Sequence, residues 1–139
     1  MSEAQRNTGI LKEAYDKWHA SRGGSVDHWM SIMADHIDFR SLADGEGGLN
    51  FTKSVESRAD LERYFDGLVG DMEMIHYTVD KYFADGNTVI AMGRTAWRVK
   101  ANGNEFETPK VDVVRFEDGK IVAFFEYYDT AKAQAAVQG

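Results

Sequence analysis

KVDVVRFEDGKIVAFFEYYD, residues 110–129, decides the fold. Runs rich in β-branched and aromatic residues lie on both sides of Asp118-Gly119, the pattern of two strands joined by a tight turn. A three-residue loop with Gly119 in the left-handed region sets Asp112 opposite Phe124 and Lys110 opposite Glu126, with Tyr128 beyond on the same side, whereas a two-residue loop would shift the pairing by one and separate Asp112 from Glu126. The second strand is apolar on both faces, with Val122, Phe124 and Tyr128 on one and Ile121, Ala123, Phe125 and Tyr127 on the other. Both faces therefore need cover. Helices can cover one, and the other is expected to pack against a second copy of the chain.

Upstream, period two runs from Met74 to Asp129, broken by turn signals at Asp85-Gly86, Asn102-Gly103 and Asp118-Gly119, so the second half reads as a four-stranded meander. A two-residue loop at Asn102-Gly103 sets Lys100 opposite Glu105 and Arg98 opposite Glu107 on one face. Gly93, Thr95 and Trp97 then share the other face with Thr108, Lys110 and Asp112. His76 alternates with Ile75, Tyr77 and Val79 and is expected to point away from the core.

The first half has helical spacing. Ile10, Leu11, Ala14, Tyr15 and Trp18 form one stripe between Asn7 and Ser21, which Gly23 and Gly24 end. Ser25 can cap a second helix with Trp29, Ile32 and Met33 inward. A short extended run, Ile37 to Leu42, follows, then ADGEGGLNF at 43–51, whose glycines suit a mobile loop or lid. Ser57 and Asp60 resemble a capping box opening a helix that turns Leu61, Tyr64, Phe65, Leu68 and Val69 inward. The expected class is α+β: a curved antiparallel sheet around three helices of the N-terminal half, one domain over residues 1–139, with an internal apolar pocket.

Composition narrows the function. With no cysteine there are no disulfides, thiolate metal sites or cysteine nucleophiles, and a reducing, cytoplasmic setting is expected. The net charge of -7 disfavours nucleic acid and anionic lipid, and the charged N-terminus lacks a signal-peptide or membrane-span run. No phosphate-binding loop, dinucleotide fingerprint or nucleophile elbow is present, and none of the four histidines has ligand spacing with a carboxylate. Neither cofactor nor metal is expected.

Asp112 is the most informative residue. It lies among apolar neighbours, where loss of water favours a neutral, proton-donating carboxyl; alternatively it is ion-paired with Lys110 or hydrogen-bonded to a helix end. Glu126 offers a second carboxylate, either a base or a salt-bridge partner of Lys110. Tyr15 and Tyr128 are candidate hydroxyl donors, and Trp18, Trp29, Met33, Tyr64, Phe65, Thr95, Trp97, Lys110 and Phe124 complete the expected ligand-binding set. Asp112, Glu126 and Tyr15 are the catalytic candidates.

EAYDKW, WMSIMADHIDF, the RADLERYF helix, KVDVVRFEDGKIVAFFEYYD and their spacing resemble the nuclear transport factor two-like superfamily over nearly the whole chain, in its SnoaL-like, ketosteroid-isomerase-like branch. The resemblance implies a cone-shaped, cystatin-like roll, a scaffold shared by enzymes and plain binding proteins. Tyr15 and Asp112 look like the oxyanion-hole pair of ketosteroid isomerases, but the general base of those enzymes would fall near Ser41, which cannot take that proton. Glu126 is similar to the last-strand acid of limonene-epoxide hydrolases, whose arginine Arg94 does not supply, because it falls on the opposite face. Polyketide cyclases of the SnoaL type use a pocket acid, a role open to Asp112 or Glu126. Together these imply cofactor-free acid–base chemistry on a small apolar molecule by an isomerase, cyclase, hydratase or dehydratase. The alternatives are a non-catalytic ligand-binding module and a dimeric interaction protein.

Overall fold

A computed structural model describes residues 1–139. Its elements run α1 (Glu3–Ala20), α2 (Val26–Ile32), β1 (Met33–Ser41), a single 3-10 turn (Asn50–Thr52), β2 (Val55–Ser57), α3 (Arg58–Asp71), β3 (Met72–Asp85), β4 (Thr88–Val99), β5 (Glu105–Glu117), β6 (Lys120–Tyr128) and α4 (Thr130–Gln138). The four-stranded meander β3–β6 is as expected. The sheet is nevertheless mixed rather than antiparallel: its order is β2-β1-β6-β5-β4-β3, with β1 running parallel to β6. Six strands and four helices make an α+β fold.

Local chemistry accounts for the helix ends. α1 starts earlier than its apolar stripe because Ser2 and Gln5 form a reciprocal capping box. Ser57 accepts from the Asp60 amide at the start of α3, whereas the Ser25 side chain makes no cap bond to α2. Met33 opens β1 instead of extending α2, yet stays buried, since both conformations point it at the core. Val69 is on the solvent side of α3 rather than in the core. α4 has no counterpart in the sequence reading; Asp129 caps it by accepting from the Lys132 amide.

Two registers differ from expectation, and both matter to the site. On β4–β5 the pairs are Arg98 with Glu105 and Trp97 with Phe106, and Lys100 instead donates to the Val69 carbonyl. This is a slip of two residues, so every side chain keeps its face. At the last hairpin Asp118 and Gly119 both have positive φ, 50° and 77°, which makes a two-residue turn pairing Glu117 with Lys120. A bulge then intervenes, and from Ala123 onward the pairs are Val114 with Phe124, Asp112 with Glu126 and Lys110 with Tyr128. Because of that bulge Ile121 and Phe124 are both buried, although an unbroken strand would put them on opposite faces. A similar bulge in β3 turns Ile75 outward while Met74 and Tyr77 stay in. A second β3 bulge, at Asp80, brings the Thr78 carbonyl against Gly93, so close that a Cβ there would clash with backbone.

One hydrophobic cluster lies between the helices and the concave sheet face. Its closed end carries fully buried Val114, Phe116 and Ile121. Towards the other end of β5 and β6 the inner face becomes polar.

Candidate functional site

Strands β5 and β6 bring three ionisable side chains to that inner face. Asp112 is 1% exposed, Glu126 7% and Lys110 8%. Asp112 and Glu126 are direct cross-strand partners, and Lys110 sits two residues before Asp112 on the same side. The Lys110 Nζ donates to Asp112 Oδ1 at 2.5 Å and to Tyr77 Oη at 2.9 Å, and lies 3.1 Å from Glu126 Oε2. Tyr77 donates its hydroxyl to Asp112 Oδ2 at 2.6 Å, and Tyr15 donates to the same oxygen. Tyr64, from α3, donates to Glu126 Oε1 at 2.8 Å. The result is one buried chain, Tyr15–Asp112–Lys110–Glu126–Tyr64, with Tyr77 bridging its first half.

Its electrostatics follow from burial and mutual contact. Burial by itself would lower the Lys110 pKa, but Asp112, Tyr77 and Glu126 outweigh it and hold the ammonium well above the ordinary lysine value. Burial raises the Tyr15, Tyr77 and Tyr64 phenols well above theirs, reinforced by Asp112 for the first two and Glu126 for the third. All three stay protonated donors. Of the alternatives for Asp112, the ion pair with Lys110 is the one present, and its carboxylate accepts from Lys110, Tyr15 and Tyr77.

A cavity of about 80 Å³ lies beside this chain. Tyr15 and Trp18 from α1, Trp29 from α2 and Tyr64 and Phe65 from α3 form its roof. Met33, Thr95, Trp97, Lys110, Phe124, Glu126 and Tyr128 form the floor. Every expected ligand-binding residue is thus among the lining, but Asp112 is not: Tyr15, Tyr77 and Lys110 stand between it and the open space. That corrects the sequence expectation of an acid facing a ligand, and Asp112 becomes the residue that positions its three donors. Tyr77 is the group the sequence reading omits from the site. Its signal was its parity in MIHYTVD, which already turned it inward.

Parts of the chain distant in sequence complete the lining. Leu49, Phe51 and Thr52, at the end of the glycine-rich loop, and Ala133 of α4 belong to it. That loop is tied down: Asp44 accepts from the amide and hydroxyl of Ser54, and Gln138 of α4 donates to the Gly47 carbonyl at 3.0 Å. Ser41, where the resemblance seeks a base, hydrogen-bonds the Tyr128 hydroxyl at 2.6 Å. Arg94 is on the outer face, paired with Asp80 at 2.9 Å. The His19 Nδ1 accepts from the Tyr77 amide, and His76 contacts Thr78 away from the cavity. No group of three or more His, Asp or Glu side chains converges as a metal site would require, and no helix is long and apolar enough to cross a membrane.

Comparison with known proteins agrees with the architecture. A protein from Bacillus subtilis proposed to be an isomerase superposes with a TM-score of 0.81 at 21% identity, covering 100% of this chain and 97% of that one. An NTF2-like protein from Burkholderia thailandensis E264 gives 0.79 at 23% identity, over 100% and 99%. A proposed SnoaL-like polyketide cyclase from Jannaschia sp. CCS1 gives 0.76 at 14% identity, over 98% and 94%. At these identities the likeness is one of fold. No curated protein sequence matches the chain. The family model of the SnoaL-like domain matches residues 12–124, and the chain belongs to the SnoaL-like domain family.

Proposed function

We propose that the chain binds a small, largely apolar molecule in the aromatic cavity and moves a proton on it without a cofactor, as an isomerase, cyclase, hydratase or dehydratase does. The observation that carries this reading is Glu126. It is the one carboxylate lining the cavity, and it is held by Lys110 and Tyr64, each through a single contact, so its oxygens keep lone pairs for a ligand. In an isomerisation Glu126 takes a proton from a ligand C–H. The electron pair stays on the ligand, spread over adjacent unsaturation, and the proton returns at a different carbon. Lys110 and Tyr64 fix the carboxylate, Asp112 fixes Lys110, and the aromatic walls exclude water.

The test is exchange of C–H for C–D in D2O, followed by NMR across a panel of small cyclic ketones and amines. Glu126→Gln should slow exchange by about 10²–10⁴-fold, the usual contribution of a positioned base, with the affinity for the uncharged ketones little changed. A second reading is favoured by the phenols. Tyr15 and Tyr77 spend their hydrogens on Asp112, which leaves no oxyanion hole of the isomerase type and suits a binding module. Ligand binding without exchange in the wild type would decide for it.

We further propose a homodimer through the outer sheet face. Support comes from two cross-strand rows, Ile90–Val113–Phe125 and Met92–Val111–Tyr127, with Phe125 and Tyr127 stacked at 4.4 Å. Tyr127 is 41% and Met92 42% exposed. Ion pairs flank the rows at both sides, Asp38–Arg40 and Asp80–Arg94, so the apolar area is bounded by charge, as the centre of an interface is.

A further inference from the structure

The charged cluster beneath the cavity is not balanced. Lys110 supplies one ammonium, while Asp112 and Glu126 supply two carboxylates, and no other charged side chain lines the space. Its hydrogen-bonding capacity is lopsided in the same sense. An ammonium has three hydrogens, and three oxygens of this chain already stand within 3.1 Å of the Lys110 Nζ. Tyr15 and Tyr77 donate to Asp112, and Tyr64 donates to Glu126. The hydroxyls of Thr52, Thr95 and Thr108 donate to backbone carbonyls. What remains free is neutral: the Trp29 indole N–H, which is buried without a partner, those of Trp18 and Trp97, which donate to no other side chain or carbonyl, and one hydrogen of the Ser41–Tyr128 pair. The acceptor side is open, at the carboxylate of Glu126.

A carboxylate ligand would add a third negative charge to a buried group with one positive charge and no spare ammonium hydrogen. A protonated amine meets the opposite situation. Its N–H donates to Glu126, its charge balances the cluster, and its carbon body lies against rings whose negative faces attract cations. Lys110 itself already lies 5.3 Å from the Tyr77 ring centre.

Resting on the reading that this cavity is the ligand site, we infer that its ligand is a small apolar cation carrying an N–H donor, a protonated amine or imine, and that carboxylates are rejected. The same inference removes a difficulty in the proton-transfer chemistry. When Glu126 takes the C–H proton next to a protonated imine, the electron pair forms the C=C bond of a neutral enamine, so no oxyanion needs a donor.

The experiment uses three probes of nearly equal shape and different charge, benzylammonium, benzyl alcohol and benzoate, at pH 7. Trp18, Trp29 and Trp97 line the cavity and report binding by fluorescence. Salt at 0.15 M limits the pull of the overall charge of -7 to within about 8 Å. Benzylammonium should bind about tenfold tighter than benzyl alcohol, and benzoate at least tenfold weaker than the alcohol. Glu126→Gln, which leaves the cluster neutral, should bring cation and alcohol within threefold. Benzoate binding as well as benzylammonium to the wild type overturns the inference without any variant, while the cavity reading stands. A cation preference that survives Glu126→Gln overturns it too. Binding by none of the three overturns the cavity reading and this inference with it.

Discussion

The two faces of the β5–β6 hairpin reverse the usual arrangement of a half-buried sheet. Over the same few residues, Lys110, Asp112 and Glu126 point inward and are almost fully buried, while Val111, Val113, Phe125 and Tyr127 point outward. An alternating strand ordinarily sends its apolar set to the core. Each face therefore carries its own physical demand. The inner one tolerates charge only because every ionised group has partners within 3.1 Å, and the outer one leaves apolar area that a partner would cover. What sorts the two sets is the bulge at Val122, without which Glu126 and Phe125 would exchange faces.

Unbalancing the inner face should have the largest effect. Lys110→Met removes the only cation and leaves Asp112 and Glu126 buried opposite each other, which should cost about 3–5 kcal/mol in urea unfolding. Lys110→Met with Glu126→Leu and Asp112→Leu removes the uncompensated charge as well and should recover much of the loss. If the single substitution costs under about 1 kcal/mol, Lys110 is not the keystone of the cluster.

On the outer face, Phe125→Glu places a charge in the centre of the apolar rows. Sedimentation should show a dimer for the wild type and a monomer for the variant, while the unfolding free energy of the monomer shifts by only about 0.5 kcal/mol, as is usual for surface positions. A monomeric wild type would sink the dimer.

Particular residues mark how far the sequence carries. Stripes such as Leu11, Ala14, Tyr15 and Trp18 and the three turn signals yield the three N-terminal-half helices and the meander, because burial repeats with the period of each element. The β4–β5 slip was harmless because two is the period of a strand. The last hairpin came out with Asp112 and Glu126 on one face for a different reason than expected: two offsets, a shorter turn and a bulge, cancel in parity. Bulges leave no mark in periodicity, which is why Ile75 and Ile121 were assigned to the wrong faces. The parallel pairing of β1 with β6 was illegible too, being a contact between distant segments that neither segment encodes alone. α4 was legible in Asp129 and the alanines after it. At the site, alternation identified the residues, whereas their order from the cavity inward, with Asp112 behind Tyr15, Tyr77 and Lys110, depends on side-chain packing across three elements.

The smallest effect expected is alkaline. Burial, with Glu126 second, pushes the Tyr128 phenol up to about 12, whereas in the unfolded chain it ionises near its ordinary value of about 10. Because the folded value is the higher one, the fold favours the neutral phenol. That contribution is whole below about pH 10 and is lost as pH rises from there through about 12, where the unfolded chain gives up its proton before the folded one. Tyr15, Tyr64, Tyr77 and Lys110 are all shifted the same way, so their effects add in the same window. The outer face carries Tyr127 but no buried ionisable group, so the dependence belongs to the inner face alone. Tm measured from pH 8 to 11.5 should fall above pH 10, and Tyr128→Phe, which cannot ionise, should fall less steeply by about 3 °C at the upper end. Tyr64→Phe should flatten the curve further, its phenol being more deeply buried. A Tyr128→Phe curve parallel to the wild type would mean that Tyr128 ionises as freely in the fold as outside it, and that the polar region ends at Glu126.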